Sequence, residues 1–336
     1  MPVLQLQNYS LSFCTPQGEL QAVRQVDLSL EQGEILAIVG ESGCGKTVLC
    51  KSILKLLPNH ARITSGAVFL DGEEITHYTD RQMRRLRGRS AAMVFQDPMA
   101  ALNPTIPVGK QLMEAVLQHE KISKQAAKQR ALELLALVGI AQPEQRFGLQ
   151  PHFFSGGMRQ RCVLAIALAC RPKVLFADEP TTALDVTVQA KILDLLLDVR
   201  RSMQLGIVLI SHDLGVVARI ADRVAVMYAG RIVEIGTAEE IFYDPRHPYT
   251  WGLLAARLDN TPKGEPLPSI PGLPPVLLGE IRADPFAPRN RYALEIDYEE
   301  EPPMFQITPT HSAATWLLDP RAPKVTPPIQ LWRAQE

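Results

Sequence analysis

Residues 34–57 read "EILAIVGESGCGKTVLCKSILKLL", and this stretch decides the fold. It opens on a continuous apolar run, the pattern of a strand buried on both faces. It closes on apolar residues at helical spacing. Between the two lies the loop Gly40, Glu41, Ser42, Gly43, Cys44, Gly45, Lys46, Thr47. Strand, glycine-rich loop, helix is the context that separates a phosphate-binding Walker A loop from a chance glycine turn. The glycines let backbone N–H groups curl around phosphate. Lys46 reaches the β- and γ-phosphates, and the Thr47 hydroxyl takes Mg²⁺.

Upstream, "VLQLQNYSLSF" (3–13) and "AVRQVDLSL" (22–30) alternate apolar and polar residues, which predicts antiparallel strands. Downstream, residues 98–165 carry amphipathic helices such as "VGKQLMEAVLQHE" and "KQAAKQRALELLALVGI" with no strand pattern between them. Strands return at "VLFADEP", "GIVLISHD" and "RVAVMYAG", alternating with helices such as "VQAKILDLLLDVRRSM". That alternation predicts a parallel α/β sheet interrupted by a helical insertion. After residue 255 the texture changes to the proline-rich, extended "TPKGEPLPSIPGLPP", then to a tail of aromatics, prolines and acids. That tail is too apolar for a disordered segment and is expected to form a small irregular appendage.

Composition narrows the function. The 336 residues carry a net charge of −1, so no global field draws the chain to nucleic acid. The most apolar run, "CVLAIALAC" (162–170), is about half the roughly 20 residues a bilayer span needs. The start lacks the basic-then-apolar layout of a secretion signal. The five cysteines form no CxxC pair and no cluster with histidine, which indicates neither a zinc site nor a disulfide framework. Any membrane role must therefore run through a partner.

A second set of residues completes a nucleotide site. "KVLFADEP" (173–180) has the form of a Walker B strand, apolar up to Asp178 and Glu179. Asp178 would hold Mg²⁺ through water, and Glu179 stands where a carboxylate can orient an attacking water. Gln96 ends the run before "QDP"; its neutral amide can touch Mg²⁺ and the lytic water. His212 ends "VLIS" and can donate to the γ-phosphate. Lys46, Gln96, Glu179 and His212 all follow predicted strands, the end of a parallel sheet at which ligands bind. One motif is left over. "FFSGGMRQR" (153–161) places Ser155, Gly156 and Gly157 ahead of a helical stretch, a second anion site in a chain with one evident nucleotide site.

Taken in order, the Walker A loop, "VFQDP", "SGGMRQR", "LFADEPTTALD" and "ISHD" resemble the nucleotide-binding subunit of an ABC transporter, over most of residues 1–255. The resemblance implies a P-loop NTPase (RecA-like) core with an antiparallel β subdomain and an α-helical insertion at 98–165. It implies two cassettes closing head to tail, with Ser155, Gly156 and Gly157 of one gripping the γ-phosphate of ATP held by the other. It makes Asp185 the D-loop residue that crosses the interface, and Phe13 the best match for the aromatic that stacks on adenine. One departure stands out: the family's leucine before Ser-Gly-Gly is Phe154 here, preceded by Phe153. The larger ring is expected to alter packing at the closed interface and weaken one composite site.

"QDPMAALNPT", "FYDPRHPYTWGLLAA" and "SIPGLPP" resemble the peptide/nickel importer branch. Members of that branch often bind an iron–sulfur cluster through four C-terminal cysteines. The matching places hold Asp284, Asn290, Asp297 and Thr315, while Phe286, Pro288, Arg289, His311 and Trp316 keep the surrounding frame. Oxygen side chains do not hold such a cluster, so none is expected. The tail most resembles that of the cluster-free oligopeptide importer ATPases. The reading is therefore a nucleotide-binding domain over 1–255 with an importer-type extension over 256–336, using ATP and Mg²⁺. Its implied partners are a sister ATPase in a heterodimer, two transmembrane permeases and an extracytoplasmic peptide-binding protein, with no nucleic acid. The place is the cytoplasmic face of the membrane. Alternatives are the same motor serving dipeptides or nickel, and a soluble ABC ATPase outside transport.

Overall fold

The computed structural model describes residues 2–97, 101–182, 184–256 and 269–328. The expected N-terminal strands form as β1 (Leu4–Thr15) and β2 (Gly18–Leu30). The apolar run becomes β3 (Ile35–Val39), with all five residues buried. Helix α1 (Lys46–Ile53) follows the glycine loop and stops where the chain turns at Lys55, φ 51°. Next come β4 (Ala61–Leu70), the two-residue β5 (Glu73–Glu74), α2 (Asp80–Leu86) and β6 (Ala91–Val94). The helical stretch holds α3 (Val108–His119), α4 (Lys124–Leu137), the short α5 (Pro143–Arg146) and α6 (Gly156–Leu168). Then β7 (Val174–Asp178), α7 (Val186–Met203), β8 (Gly206–Ile210) and α8 (Leu214–Ile220) alternate. The chain continues through β9 (Arg223–Tyr228), β10 (Arg231–Thr237), α9 (Ala238–Tyr243) and α10 (Pro248–Ala255). Two short strands, β11 (Phe305–Gln306) and β12 (Ser312–Ala313), lie in the tail.

The chain divides into two compact units. The first comprises residues 1–5, 29–35 and 68–210. In it β6, β7 and β8 pair in parallel, with Ala91 opposite Val174 and Val174 opposite Gly206. Parallel pairing needs long crossovers, and these are the helical stretch and α7. Among the described residues between β6 and β7 there is no strand, as the helical periodicity predicts. Leu112, Val116, Leu134, Leu135, Cys162 and Ala165 are buried and give α3, α4 and α6 their apolar faces.

The second unit comprises residues 6–28, 36–67 and 211–336. Here β3 runs parallel to β9, Leu36 opposite Arg223 and Val39 opposite Val226. Strand β9 pairs antiparallel with β10, β10 with β12, and β12 with β11. The N-terminal hairpin contributes the order β2-β1-β4. The tail is woven into this unit: β12 extends its sheet and Leu278 bridges Leu20 of β2. Residues 257–268, which include the first part of the proline-rich stretch, lie outside the described residues, as do 98–100, Ala183 and 329–336. Among the described residues, no helix is long and apolar enough to cross a membrane.

Candidate functional site

The phosphate loop sits between β3 and α1 in the second unit. Gly45 starts the helix at φ 109°, and a Cβ there would meet the Ala22 carbonyl oxygen at 2.5 Å. Only glycine fits both the angle and the space. Helix α1 has no side-chain cap and no acid in its first turn. The positive end of its dipole therefore lies at the loop with no side chain capping it, a setting that suits an anion. Lys46 is buried, and its Nζ donates to the carbonyls of Gly40 and Glu41, each at 2.8 Å. The Cys44 thiol lies 3.5 Å from that ammonium; burial pushes its pKa up, and the nearby Lys46 charge offsets only part of the shift. Ser42 and Gly43 are exposed at the tip of the loop, and Thr47 is half-buried in the first turn.

Phe13 joins this loop. It lines a cavity of about 290 Å³ with Gly43, Cys44, Gly45 and Val48. Its ring also meets His60, centroids 5.4 Å apart.

The carboxylates are in the first unit. Asp178 is the last residue of β7 and is 4% exposed. Glu179 follows at φ 49°, a left-handed conformation that a non-glycine residue adopts at a cost. The Glu179 N–H donates to the Ile210 carbonyl at 2.9 Å, which anchors the turn. The carboxylate is aimed by two donors: Gln96 Nε2 lies 2.8 Å and Thr182 Oγ1 2.9 Å from Glu179 Oε2. The structure thus brings the predicted Gln96 and Glu179 together and adds Thr182, which the sequence reading missed. Its signal was position, a hydroxyl three residues past a strand-end acid. His212 is exposed two residues beyond β8, next to Asp213, which caps α8 by accepting from Gly215 and Val216.

The leftover motif is a helix start. Ser155 caps α6, its Oγ accepting from Met158 N at 3.4 Å. Gly156 is exposed, and a Cβ there would meet nothing within 4 Å. At Gly157 a Cβ would lie 2.4 Å from Val188 Cγ1, so the helix packs against the first turn of α7. Asp185 caps that turn, its Oδ1 accepting from Val188 N at 2.9 Å. Ser155, Gly156 and Asp185 are thereby brought into one neighbourhood of the first unit. The expectation for Phe154 is corrected. Its ring is 2% exposed and packs inside, and its carbonyl accepts from Arg159 Nε at 2.8 Å. The exposed ring is Phe153, at 59%. The aromatic departure thus lies in the interior of the first unit, beneath the helix start and not on its surface.

In the tail, Asp284, Asn290, Asp297 and Thr315 are each engaged with a nearby backbone N–H. Asp284 Oδ1 accepts from Phe286 N at 2.9 Å, and Asn290 Oδ1 accepts from Tyr292 N at 2.9 Å. Asp297 Oδ2 accepts from Leu294 N at 2.6 Å, and Thr315 Oγ1 accepts from Leu317 N at 3.3 Å. Each oxygen closes its own turn. The frame around them is also engaged. Phe286 packs edge-on to Tyr228 and Tyr249, His311 Nε2 meets Glu234 Oε1 at 2.8 Å, and Trp316 Nε1 donates to the Glu300 carbonyl.

Comparison with known proteins identifies the family and the fold. The ABC transporter family model matches residues 23–182, and the model for the C-terminal region of oligopeptide/dipeptide transporters matches 233–296. The chain is 55% identical to the oligopeptide transport ATP-binding protein OppD of Bacillus subtilis, covering 97% of this chain and 92% of that one. It is 52% identical to the dipeptide transport ATP-binding protein DppD of Lactococcus lactis, covering 97% and 93%. An ATP-binding cassette solved as a dimer in a post-hydrolysis state with ADP and Pi superposes with a TM-score of 0.62 at 25% identity, over 70% of this chain and 98% of that one. The fold is thus the P-loop cassette, and the chain belongs to the ABC transporter ATPases, among the ATP-binding subunits of oligopeptide and dipeptide transporters.

Proposed function

We propose that this chain hydrolyses ATP at residues 40–47 to drive oligopeptide import, working as a peripheral subunit on the cytoplasmic face of the membrane. The cargo reading rests on likeness along nearly the whole chain to oligopeptide and dipeptide transport ATP-binding proteins. One observation carries the chemistry: the Glu179 carboxylate, held in a left-handed turn after β7, is aimed by Gln96 and Thr182 at 2.8 and 2.9 Å. A carboxylate so fixed can accept a hydrogen bond from water and direct its oxygen at the γ-phosphorus, while the bond to the β–γ bridging oxygen breaks.

The loop N–H groups and Lys46 bind the phosphates. Thr47, Asp178 and the amide oxygen of Gln96 are hard oxygen donors of the kind Mg²⁺ takes and would hold it. Held by these oxygens, Mg²⁺ would supply neutralisation of charge on the β- and γ-phosphates. His212 donates to the γ-phosphate. A sister cassette, in a heterodimer, offers its own helix start in the manner of Ser155, Gly156 and Gly157 and closes the site, with Asp185 crossing between the two. Exposed Phe153 and Val186, 59% and 83% accessible, flank these residues in the first unit and suit a closing surface. Two permeases dock near residues 96–115, and an extracytoplasmic binding protein delivers the peptide. Movement of the helical stretch reaches Glu179 through Gln96. The tail is proposed to work without an iron–sulfur cluster, because its four oxygen side chains already satisfy backbone N–H groups.

The test is uptake of labelled tetra- to hexapeptides into cells carrying wild type or Glu179→Gln, with dipeptide and nickel uptake alongside. Loss of oligopeptide uptake with nickel uptake intact supports the reading. Normal oligopeptide uptake in the variant overturns it.

A further inference from the structure

The cavity beside the phosphate loop is not closed by the cassette motifs alone. Pro274, Pro275, Val276 and Leu277 from the C-terminal extension line it together with Phe13 and the loop. They are held there by strand addition. Gln21 N donates to the Leu277 carbonyl at 2.9 Å, Gly279 N to the Glu19 carbonyl at 3.0 Å, and Gln21 Nε2 to the Gly279 carbonyl at 2.6 Å. The wall is apolar, so it suits a heterocyclic base and not a triphosphate. Val276 is 76% exposed although it lines the cavity, an apolar surface that a bound base would cover.

The same extension reaches the loop itself. Arg289 is 6% exposed, and its Nη1 and Nη2 donate to Glu41 Oε2 and Oε1 at 2.6 and 2.8 Å. Its remaining hydrogen bonds go to Pro271 and Gly272 carbonyls and the Tyr228 hydroxyl, which ties the guanidinium to the extension and to β9. Glu41 N donates to the Tyr249 hydroxyl at 2.7 Å. Glu41 is the second residue of the phosphate loop, so a bidentate, largely buried ion pair fixes the loop backbone at the point where it begins to curl. The charge of Glu41 is thereby matched by the guanidinium.

We infer that residues 274–289 form a nucleotide-positioning strap: Arg289 sets the phosphate loop through Glu41, and Pro274–Leu277 supply a wall against the base. This rests on the reading of residues 40–47 as the ATP site. Arg289 is a positioning residue, because it acts through Glu41.

The test uses the full-length chain with three readouts: thermal melting, steady-state ATPase split into KM and kcat, and fluorescent-ATP binding competed by ATP or by inorganic tripolyphosphate. Arg289→Met is expected to raise KM for ATP about tenfold with kcat within about threefold, and to weaken competition by tripolyphosphate as well. Arg289→Lys is expected to recover part of the KM. Val276→Asp is expected to raise KM about threefold while leaving tripolyphosphate competition unchanged, because it touches only the base side. Unchanged KM in both Arg289→Met and Val276→Asp overturns the inference. If Arg289→Met does not melt cooperatively, Arg289→Lys and the surface variant Val276→Asp decide the matter. Lys46→Ala separates the two layers. Lost binding there with unaffected strap variants removes the strap alone; ATP binding undiminished in Lys46→Ala removes the site reading and the strap with it.

Discussion

Two helix starts in this chain look alike in sequence and differ in what happens to their N–H groups. The start of α1, after Gly45, has no capping side chain and no acid in its first turn. The start of α6 has the hydroxyl of Ser155 folded back on Met158 N at 3.4 Å, a long contact. The tail carries this further: Asp284, Asn290, Asp297 and Thr315 each spend an oxygen on a nearby N–H. A helix terminus without a side-chain cap suits an anion; one closed by its own side chain is a fold element. The long Ser155 contact puts α6 between these extremes, as suits a hydroxyl that can exchange its local N–H for a ligand oxygen.

The largest effect tests the open end. Lys46→Ala should abolish ATP binding, and Glu179→Gln should cut ATPase activity about 100-fold or more while binding persists. Filter binding and single-turnover hydrolysis separate the two. If Lys46→Ala retains wild-type affinity, the open end of α1 is not where the phosphates sit.

The intermediate case is sharpened by neighbouring glycines. Gly157→Ala puts a methyl 2.4 Å from Val188 Cγ1 and should destabilise the chain by about 1–3 kcal/mol, lowering the melting temperature by several degrees. Gly156→Ala meets nothing within 4 Å and should leave melting unchanged. Its ATPase activity should nonetheless fall several-fold, because the open face is reserved for a ligand from another cassette. Full activity in Gly156→Ala would make α6 an ordinary capped helix and end the comparison.

How much of this was readable in advance follows the same division. The open end was legible, because a strand, a glycine loop and a helix leave a local pattern, and the strand-end acids and Gln96 came with it. The helical stretch was legible from period alone. What escaped was non-local. Arg289 stands in the sequence only as part of a resemblance to cluster-binding tails, and nothing in "FAPRN" says that it meets a loop residue 248 positions away. Phe154 was expected to alter packing at the closed interface because a larger ring stands where the resembled family has leucine. Burial of one ring and exposure of the next is settled by packing, which the order "FF" does not encode. Strands β4 and β10 were missed because "RITSGAVFL" and "RIVEIGT" break the apolar–polar alternation with glycine and polar residues, exposed in β4 but buried at Glu234 and Gly236 in β10.

The smallest effect probes the spent oxygens of the tail. Asp284 is 9% exposed, and burial holds its carboxyl well above the usual 3.8, at about 7. The N–H of Phe286 opposes that shift, while the charges of Asp297 and Glu301 add to it. The folded state therefore keeps a proton that the unfolded chain gives up near 3.8. Between about 3.8 and 7 the native state binds more protons, so stability from this group falls as pH rises through that window and stays low above it. Asp284→Asn keeps an acceptor for the Phe286 N–H but cannot ionise. It should be more stable than wild type by about 1–2 kcal/mol at pH 8, with the difference fading towards pH 4, measured by urea unfolding across that range. The sign is the informative part. A carboxylate that served a cation or an anion-sensing role would lose stability on neutralisation at pH 8, whereas an oxygen retained only to close a turn gains from losing its charge.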